Sequence, residues 1–118
     1  MYSELIAENF SNPTHNGTLS QCDIVLENTD PVCGDQVKIS LRLQDGLIAQ
    51  ARFQAWGCAT SIAASNLLCR WLEGRRPAEA ATVNDAEIET VLGELAPEQK
   101  HCAEIVKRLL NQLEKETI

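Results

Sequence analysis

A hairpin pattern constrains the fold of this chain more than any other sequence feature. Apolar residues occupy alternate positions over residues 37–43 and again over 49–55, which is the period of a strand with one buried face. Asp45 and Gly46 separate the two runs, and this dipeptide is typical of a two-residue type I′ turn. The sequence therefore predicts two antiparallel strands joined by a tight hairpin.

Beyond the second strand the apolar spacing changes at Gly57 to that of a helix, with a stripe that runs through Leu68 to Leu72. Cys58 falls at the predicted first turn of this helix. Unpaired backbone N–H groups and the helix dipole at that position favour a thiolate, which can ligate a metal or act as a nucleophile. A free cysteine is also often a small buried apolar residue. Both interpretations are open from this stretch alone.

The remaining pattern predicts one more strand and several helices. A helix at the start contains Tyr2, Leu5, Ile6 and Phe10 at helical spacing, and a short strand covers residues 24–26. Two short helices over residues 77–81 and 85–92 precede a long amphipathic helix over residues 102–113. Strands precede most helices, so we predict an α+β fold: a small three-stranded antiparallel sheet with helices packed on one face and a C-terminal amphipathic helix. Residues 1–118 are predicted to form a single domain.

Composition excludes several classes of function. The chain has 44% hydrophobic and 23% charged residues and contains no apolar run long enough to span a bilayer. Its formal charge of −7 argues against nucleic acid or an anionic membrane as the main partner. The first residues do not resemble an export signal, and five cysteines are an odd number for a disulfide framework. We therefore expect a cytoplasmic protein whose cysteines are ligands, reactive thiols or core residues.

Three short motifs carry side chains that can ligate a metal, and each lies at a predicted element boundary. Their candidate ligands are Cys33, Asp35, Cys58, His101 and Cys102. Without a paired C-x-x-C spacing, a site made from these residues has to be assembled by the fold. Three thiols, one carboxylate and one imidazole suit zinc, iron or an iron–sulfur cluster and exclude calcium and magnesium. Taken singly, Asp35 can instead hydrogen-bond within its own turn, and His101 can be a surface residue.

Three other residues are predicted to have no role in chemistry. Cys69 lies three turns beyond Cys58 on the predicted helix, roughly 16 Å away along its axis, and is assigned to the core. Trp56 is assigned to packing, and His15 is expected to be a solvated loop residue.

The motifs together resemble the iron–sulfur cluster assembly scaffold family, the IscU type also found as the N-terminal domain of NifU. The resemblance runs the length of the chain and rests on Tyr2-Ser3-Glu4, Asn12-Pro13, Cys33-Gly34-Asp35, Ala51-Arg52-Phe53, Trp56-Gly57-Cys58 and His101-Cys102. It implies that Cys33, Asp35, Cys58 and Cys102 are the cluster ligands, with His101 as a neighbouring or alternative ligand. It also implies that Cys102 is the main persulfide acceptor.

The role implied by the resemblance is that of a scaffold rather than an enzyme. Such a scaffold receives sulfur from a cysteine desulfurase, builds a transient [2Fe–2S] cluster, and transfers it to apo-proteins such as ferredoxin. A carboxylate is a poorer ligand for cluster iron than a fourth thiolate would be, which permits transfer. In the cluster-free form the same residues would bind zinc.

The chain departs from the family pattern just before the His-Cys pair. Where such scaffolds carry Leu-Pro-Pro-Val-Lys, used to recruit an Hsp70-type chaperone, this chain reads Leu95-Ala96-Pro97-Glu98-Gln99, which argues against recruitment by that route. The insertion and the basic residue typical of the SufU branch are absent, so the IscU type fits better. Two other functions stay open: a zinc-dependent sulfurtransferase that accepts persulfide sulfur, and a structural zinc domain that serves only as an interaction module.

Overall fold

The three strands are consecutive in the chain, with one helix before them and the other helices after them. The structure is a computed structural model that describes residues 3–31 and 34–116; Tyr2 and Cys33 lie outside this part. In chain order the elements are α1 Glu4–Ser11, β1 Ile24–Thr29, β2 Gln36–Gln44, β3 Leu47–Trp56, α2 Ala59–Leu72, α3 Pro77–Ala81, α4 Asp85–Leu92, a 3₁₀ turn Pro97–Gln99 and α5 His101–Glu116.

The strands form one antiparallel sheet in the order β1-β2-β3. Asp45 and Gly46 both have positive φ, 55° and 78°, as a type I′ turn requires, so the predicted hairpin is confirmed. The ladder shifts by one residue between Arg42 and Leu43, and beyond this shift Gln36 at the start of β2 pairs with Trp56 at the end of β3. The predicted α+β class with a three-stranded antiparallel sheet is confirmed as well.

One apolar core fills the space between the sheet and the helices. The strands contribute Leu26, Ile39 and Phe53, all fully or almost fully buried. Helix α5 contributes a stripe at spacings of three and four residues, from Cys102 to Leu113, and packs on β1 and α2. Cys69 is fully buried within this core, as predicted.

Local signals also set the helix limits that the sequence predicts. Asn84 caps α4 by accepting a hydrogen bond from Glu87 N–H at 2.9 Å, and Gly93 follows the helix with a φ of 75°. The assignment of Trp56 to packing is wrong, because this residue is 56% exposed. Phe10 lies in α1 as predicted and is 45% exposed. Among the described residues, no helix has the length and apolarity needed to cross a bilayer.

Both outer strands of the sheet have part of their backbone covered. On β1, the Gln112 side chain from α5 accepts from Glu27 N–H at 2.9 Å and donates to Glu27 C=O. On β3, the His15 carbonyl accepts from Phe53 N–H at 3.0 Å, and Gly17 N–H donates to the Phe53 carbonyl at 2.8 Å. These contacts satisfy backbone groups that an edge strand otherwise presents to other chains.

His15 belongs to a polar cluster at the C-terminal end of α2. The prediction that it is a solvated loop residue is therefore wrong. Its Nε2 lies 2.7 Å from Glu73 Oε1, and its ring is only partly exposed. The other carboxylate oxygen, Glu73 Oε2, accepts from Arg52 and from Ala51 N–H, each at 3.0 Å. Burial by itself raises the pKa of Glu73, but the hydrogen bond from His15 and the contacts with Ala51 and Arg52 outweigh it and lower the pKa below its ordinary value.

We expect Glu73→Gln to destabilise the protein at neutral pH and to have a smaller effect in acid. A carboxyl whose pKa is depressed by folding stabilises the native state above its unfolded pKa, near 4.3, and loses this contribution as the pH falls through the folded value. Because Glu73 is partly exposed, the loss at pH 7 should be about 1 kcal/mol or less. Urea unfolding at pH 7 and pH 3 measures it, with the exposed Glu8→Gln on α1 as control. An equal loss at both pH values would contradict the assignment.

Candidate metal centre

Three segments that are distant in sequence meet at one end of the sheet. They are the loop before β2 with Asp35, the junction of β3 and α2 with Cys58, and the start of α5 with His101 and Cys102. The pairing of Gln36 with Trp56 places the first two segments side by side. Helix α5 packs on α2 and brings the third segment to the same place.

Cys58 is the N-cap of α2. Its backbone is extended, with φ −75° and ψ 164°, and its Sγ accepts a hydrogen bond from Ser61 N–H at 3.4 Å. A sulfur in this position occupies the place of the usual capping oxygen and faces the positive end of the helix dipole. The thiol is exposed. The sequence prediction of a cysteine at a strand-to-helix junction therefore agrees with the structure, whereas the alternative of a buried apolar cysteine does not.

Gly57 is required next to this cap because Asp35 leaves no room for a side chain. A Cβ at position 57 would lie 2.4 Å from Asp35 Cγ and 2.5 Å from Asp35 Oδ1. The Asp35 carboxylate thus rests against the glycine backbone, where it is 6% exposed. Its Oδ2 lies 3.4 Å from Cys58 Sγ, which donates to it.

The imidazole of His101 faces the same carboxylate and both thiols. Its Nε2 lies 3.5 Å from Asp35 Oδ2, 3.7 Å from Cys58 Sγ and 3.6 Å from Cys102 Sγ. The 3₁₀ turn before α5 places the Glu98 carbonyl 3.1 Å from Nδ1. A proton held on Nδ1 by this carbonyl leaves the Nε2 lone pair free to bind a metal.

Cys102 forms the inner wall of the site and is only 1% exposed. Burial raises the pKa of its thiol to about 12; the nearby Ser61 hydroxyl acts in the opposite direction, and Cys58 and Asp35 raise the pKa further. Lys100 and His101 precede Cys102 in the sequence and would favour its thiolate, but burial outweighs them in this arrangement. Cys58 is the more accessible of the two thiols.

Ser61 is the one site residue that the sequence reasoning missed. Its hydroxyl donates to Asp35 Oδ2 and lies 3.3 Å from Cys58 Sγ and 3.6 Å from Cys102 Sγ. The available signal was its position three residues after a helix-capping cysteine, which places it on the cap's side of the first turn. Of the five predicted ligands, the structure brings Asp35, Cys58, His101 and Cys102 together. The fifth, Cys33, lies outside the described residues.

The spacing of these donor atoms suits a single metal ion. The ligand atoms of Cys58, His101 and Cys102 all lie within 4.8 Å of one another. Sulfur and nitrogen donors around a tetrahedral zinc, about 2.0 to 2.3 Å from the metal, are roughly 3.3 to 3.8 Å apart. The two sulfur–nitrogen distances of 3.6 and 3.7 Å fall in that interval. The donor set can therefore hold zinc or iron with little rearrangement.

Comparisons with known proteins identify the family. The family model for the NifU-like N-terminal domain matches residues 1–113, and the chain belongs to this family. The chain is 30% identical over 112 residues to the iron-sulfur cluster assembly scaffold protein IscU 1 of Archaeoglobus fulgidus, covering 95% of this chain and 73% of that protein. It is 34% identical over 109 residues to the iron-sulfur cluster assembly scaffold protein IscU of Escherichia coli K12, covering 86% and 82%.

A solved structure supports the fold assignment independently. The crystal structure of a nitrogen-fixing NifU-like protein (N-terminal) from Brucella abortus matches with a TM-score of 0.72 at 20% identity. The match covers 99% of this chain and 96% of that one. The resemblance inferred from the cysteine motifs is thus confirmed at the level of family and fold.

We expect Gly57→Ala to disturb the site through Asp35. The added methyl group would overlap the buried carboxylate and force it away from Cys58, at a cost of about 1 to 3 kcal/mol in stability, together with a loss of zinc affinity. Gly17→Ala is a matched control, because its φ of 146° is close to the 158° of Gly57 and its Cβ would meet nothing within 4 Å. Urea unfolding and zinc titration compare the two. Equal effects of the two substitutions would show that the backbone conformation at position 57, rather than contact with Asp35, is the reason that a glycine is needed there.

The difference in exposure predicts the order in which thiols react. In metal-free protein at pH 8, iodoacetamide should modify the exposed Cys58 well before the buried Cys102, and Cys69 should be protected like Cys102. Peptide mass spectrometry after timed quenching gives the rate at each cysteine, and exposed Cys22 serves as the reference. Modification of Cys102 before Cys58 would contradict the burial described here.

Proposed function

We propose that this protein is a scaffold on which [2Fe–2S] clusters are assembled from iron and sulfur and then transferred to apo-proteins. The convergence of Asp35, Cys58, His101 and Cys102 at one end of the sheet carries this proposal. The proposal also draws on the relatives, which are named as iron-sulfur cluster assembly scaffold proteins. Cys33, two residues before Asp35 in the sequence, is the proposed third thiolate.

The chemistry of the donors suits a cargo that must leave again. Thiolates at Cys33, Cys58 and Cys102 bind cluster iron firmly, whereas the Asp35 carboxylate is a hard oxygen donor to a metal that prefers sulfur. His101 supplies an alternative nitrogen donor, since Nε2 lies 3.5 Å from Asp35 Oδ2. Such a set holds a cluster through three bonds and exposes a weak fourth one to exchange.

The site also has one accessible side. Cys58 is exposed and the His101 side chain is 30% exposed, whereas Asp35 and Cys102 are buried behind them. Sulfur from a cysteine desulfurase and an acceptor such as apo-ferredoxin can therefore approach from the side of Cys58.

The proposal places the protein in the cytoplasm, where thiols stay reduced. It does not include an Hsp70 partner, since Leu95–Gln99 lacks the usual recruiting segment.

Anaerobic reconstitution tests this function. Purified protein is mixed with ferrous iron, cysteine, a cysteine desulfurase and dithiothreitol, which supplies the electrons that reduce the delivered sulfur to sulfide, and visible absorption is followed before and after addition of apo-ferredoxin. Visible charge-transfer absorption that passes to ferredoxin is the expected result. Sulfur transfer without colour would instead indicate a zinc-dependent sulfurtransferase, and an inert protein would indicate a structural zinc domain. Either of these outcomes overturns the proposal.

Asp35→Ala should give a cluster that persists longer than that of the wild type. Three thiolates remain in the variant, and His101 Nε2 can occupy the position vacated by the carboxylate. Decay of the visible absorption and transfer to apo-ferredoxin should both slow by about threefold or more, because the weakest ligand has been replaced. Failed assembly or faster decay would show that Asp35 mainly supports the loop that carries Cys33.

Cys102 remains our prediction for the main persulfide acceptor. Cys102 is only 1% exposed, so either the start of α5 has to move or sulfur has to pass over Cys58 before Cys102 reacts. Mass spectrometry of the protein after reaction with a desulfurase locates the added sulfur. Sulfur found on Cys58 and never on Cys102 would refute the prediction, and Cys102→Ser is then expected to retain full persulfide loading.

A further inference from the structure

The Ser61 hydroxyl lies between the carboxylate and both described thiols of the site. It donates to Asp35 Oδ2, and its oxygen lies 3.3 Å from Cys58 Sγ and 3.6 Å from Cys102 Sγ. Ser61 is only 2% exposed, so its hydroxyl needs partners inside the protein. A hydroxyl has a single proton to donate, and here Asp35 receives it.

Three polar groups surround the same carboxylate oxygen, and they respond differently to metal. Cys58 Sγ and His101 Nε2 lie 3.4 and 3.5 Å from Asp35 Oδ2. Both are candidate ligands: a thiol loses its proton when it binds a metal, and Nε2 then directs its lone pair at the metal. Ser61 keeps its O–H throughout. Among these three neighbours, Ser61 is therefore the one that has a proton to donate to Asp35 as the carboxylate leaves a metal.

We propose that Ser61 is a positioning residue that competes with the bound metal for the Asp35 carboxylate and so promotes release. This inference rests on the proposed function, because it assigns a role within that site. A metal held by the Asp35 carboxylate would leave by breaking its bond to that carboxylate, and the Ser61 O–H would then hydrogen-bond to Oδ2 in its place. The carboxylate keeps its electron pair and the hydroxyl keeps its proton, so no oxidant, acid or base is required.

Burial makes this exchange effective. The carboxylate is 6% exposed and rests against Gly57, so water has limited access to it as it leaves the metal. A charge-assisted hydrogen bond from the Ser61 hydroxyl stabilises the charge of the buried carboxylate once it has left a metal. Ser61 lies in the first turn of α2, three residues after the Cys58 cap, and its position relative to Asp35 is set by the helix.

Zinc release tests the proposal without any cluster chemistry. Protein loaded with Zn²⁺ is mixed with a saturating chromophoric chelator, and the rate of colour formation gives the dissociation rate. Ser61→Ala should slow dissociation about three- to tenfold, the range expected for loss of one net hydrogen bond. Ser61→Thr keeps a hydroxyl and should stay within about twofold of the wild type. Cooperative urea unfolding verifies that each variant is folded.

Ser65→Ala is the matched control on the same helix. Ser65 is 3% exposed, but its hydroxyl donates to the Ser61 carbonyl at 2.8 Å rather than to Asp35. Its substitution should change zinc dissociation by less than about twofold. A slowing equal to that of Ser61→Ala would attribute the effect to helix stability and overturn the proposal.

Substitution in an Asp35→Ala background shows whether Ser61 acts through the carboxylate. Adding Ser61→Ala to Asp35→Ala should leave the zinc dissociation rate unchanged, because the group that Ser61 acts on is gone. A further slowing in the double variant, or a normal rate in Ser61→Ala alone, overturns the proposal. If Ser61→Ala does not fold, the proposal is overturned by a zinc dissociation rate of Ser61→Thr that differs more than about twofold from that of the wild type.

Parallel reconstitution separates this proposal from the function on which it rests. Slow zinc release from Ser61→Ala together with a wild type that forms no cluster would reject the scaffold function and retain the role of Ser61 at a zinc site. Cluster formation and transfer at the same rate in wild type and Ser61→Ala, with unchanged zinc release, would retain the scaffold and reject the role of Ser61.

Discussion

The antiparallel register of β2 and β3 is the constraint on which the site depends. Because Gln36 pairs with Trp56, the residue before β2 and the residues after β3 occupy neighbouring positions. The hairpin turn at Asp45-Gly46 and the one-residue register shift between Arg42 and Leu43 together set this register. A further slip of one residue would turn the side chains of β3 next to the site to the opposite face and move Gly57 away from Asp35. A turn and a bulge at the far end of the sheet thus govern the geometry at the site.

The polar groups of the site are arranged in depth as well as across its surface. Asp35, Ser61 and Cys102 are buried, whereas Cys58 and His101 border solvent. Hydrogen bonds and the attraction between a thiolate and a metal are stronger away from water. The inner residues therefore control how firmly a metal is held. The outer residues control what can reach it. Under the proposed function, this division would allow one small site to hold a soft metal and still exchange it.

Elements with local signals could be predicted from the sequence, and contacts between distant segments could not. The Asp45-Gly46 turn, the Asn84 cap and the alternation of β2 each depend on neighbours in the chain, and the structure agrees with them. The burial of Cys102 and the pairing of His15 with Glu73 depend on how α5 and the first loop pack. Cys102 does extend the apolar stripe of α5, which indicates a buried face, whereas no pattern near His15 indicates its contact with Glu73. The position of Ser61, three residues after Cys58, indicates a role only once Cys58 is known to cap the helix.

The covered strands at both edges of the sheet also bear on how the protein behaves at high concentration. Gln112 occupies the backbone of β1 at Glu27, and the His15–Gly17 segment occupies β3 at Phe53. Two copies that meet at these stretches find no free row of N–H and C=O groups on which to extend a shared sheet. At these two stretches the sheet therefore cannot extend by pairing with the edge of a second copy.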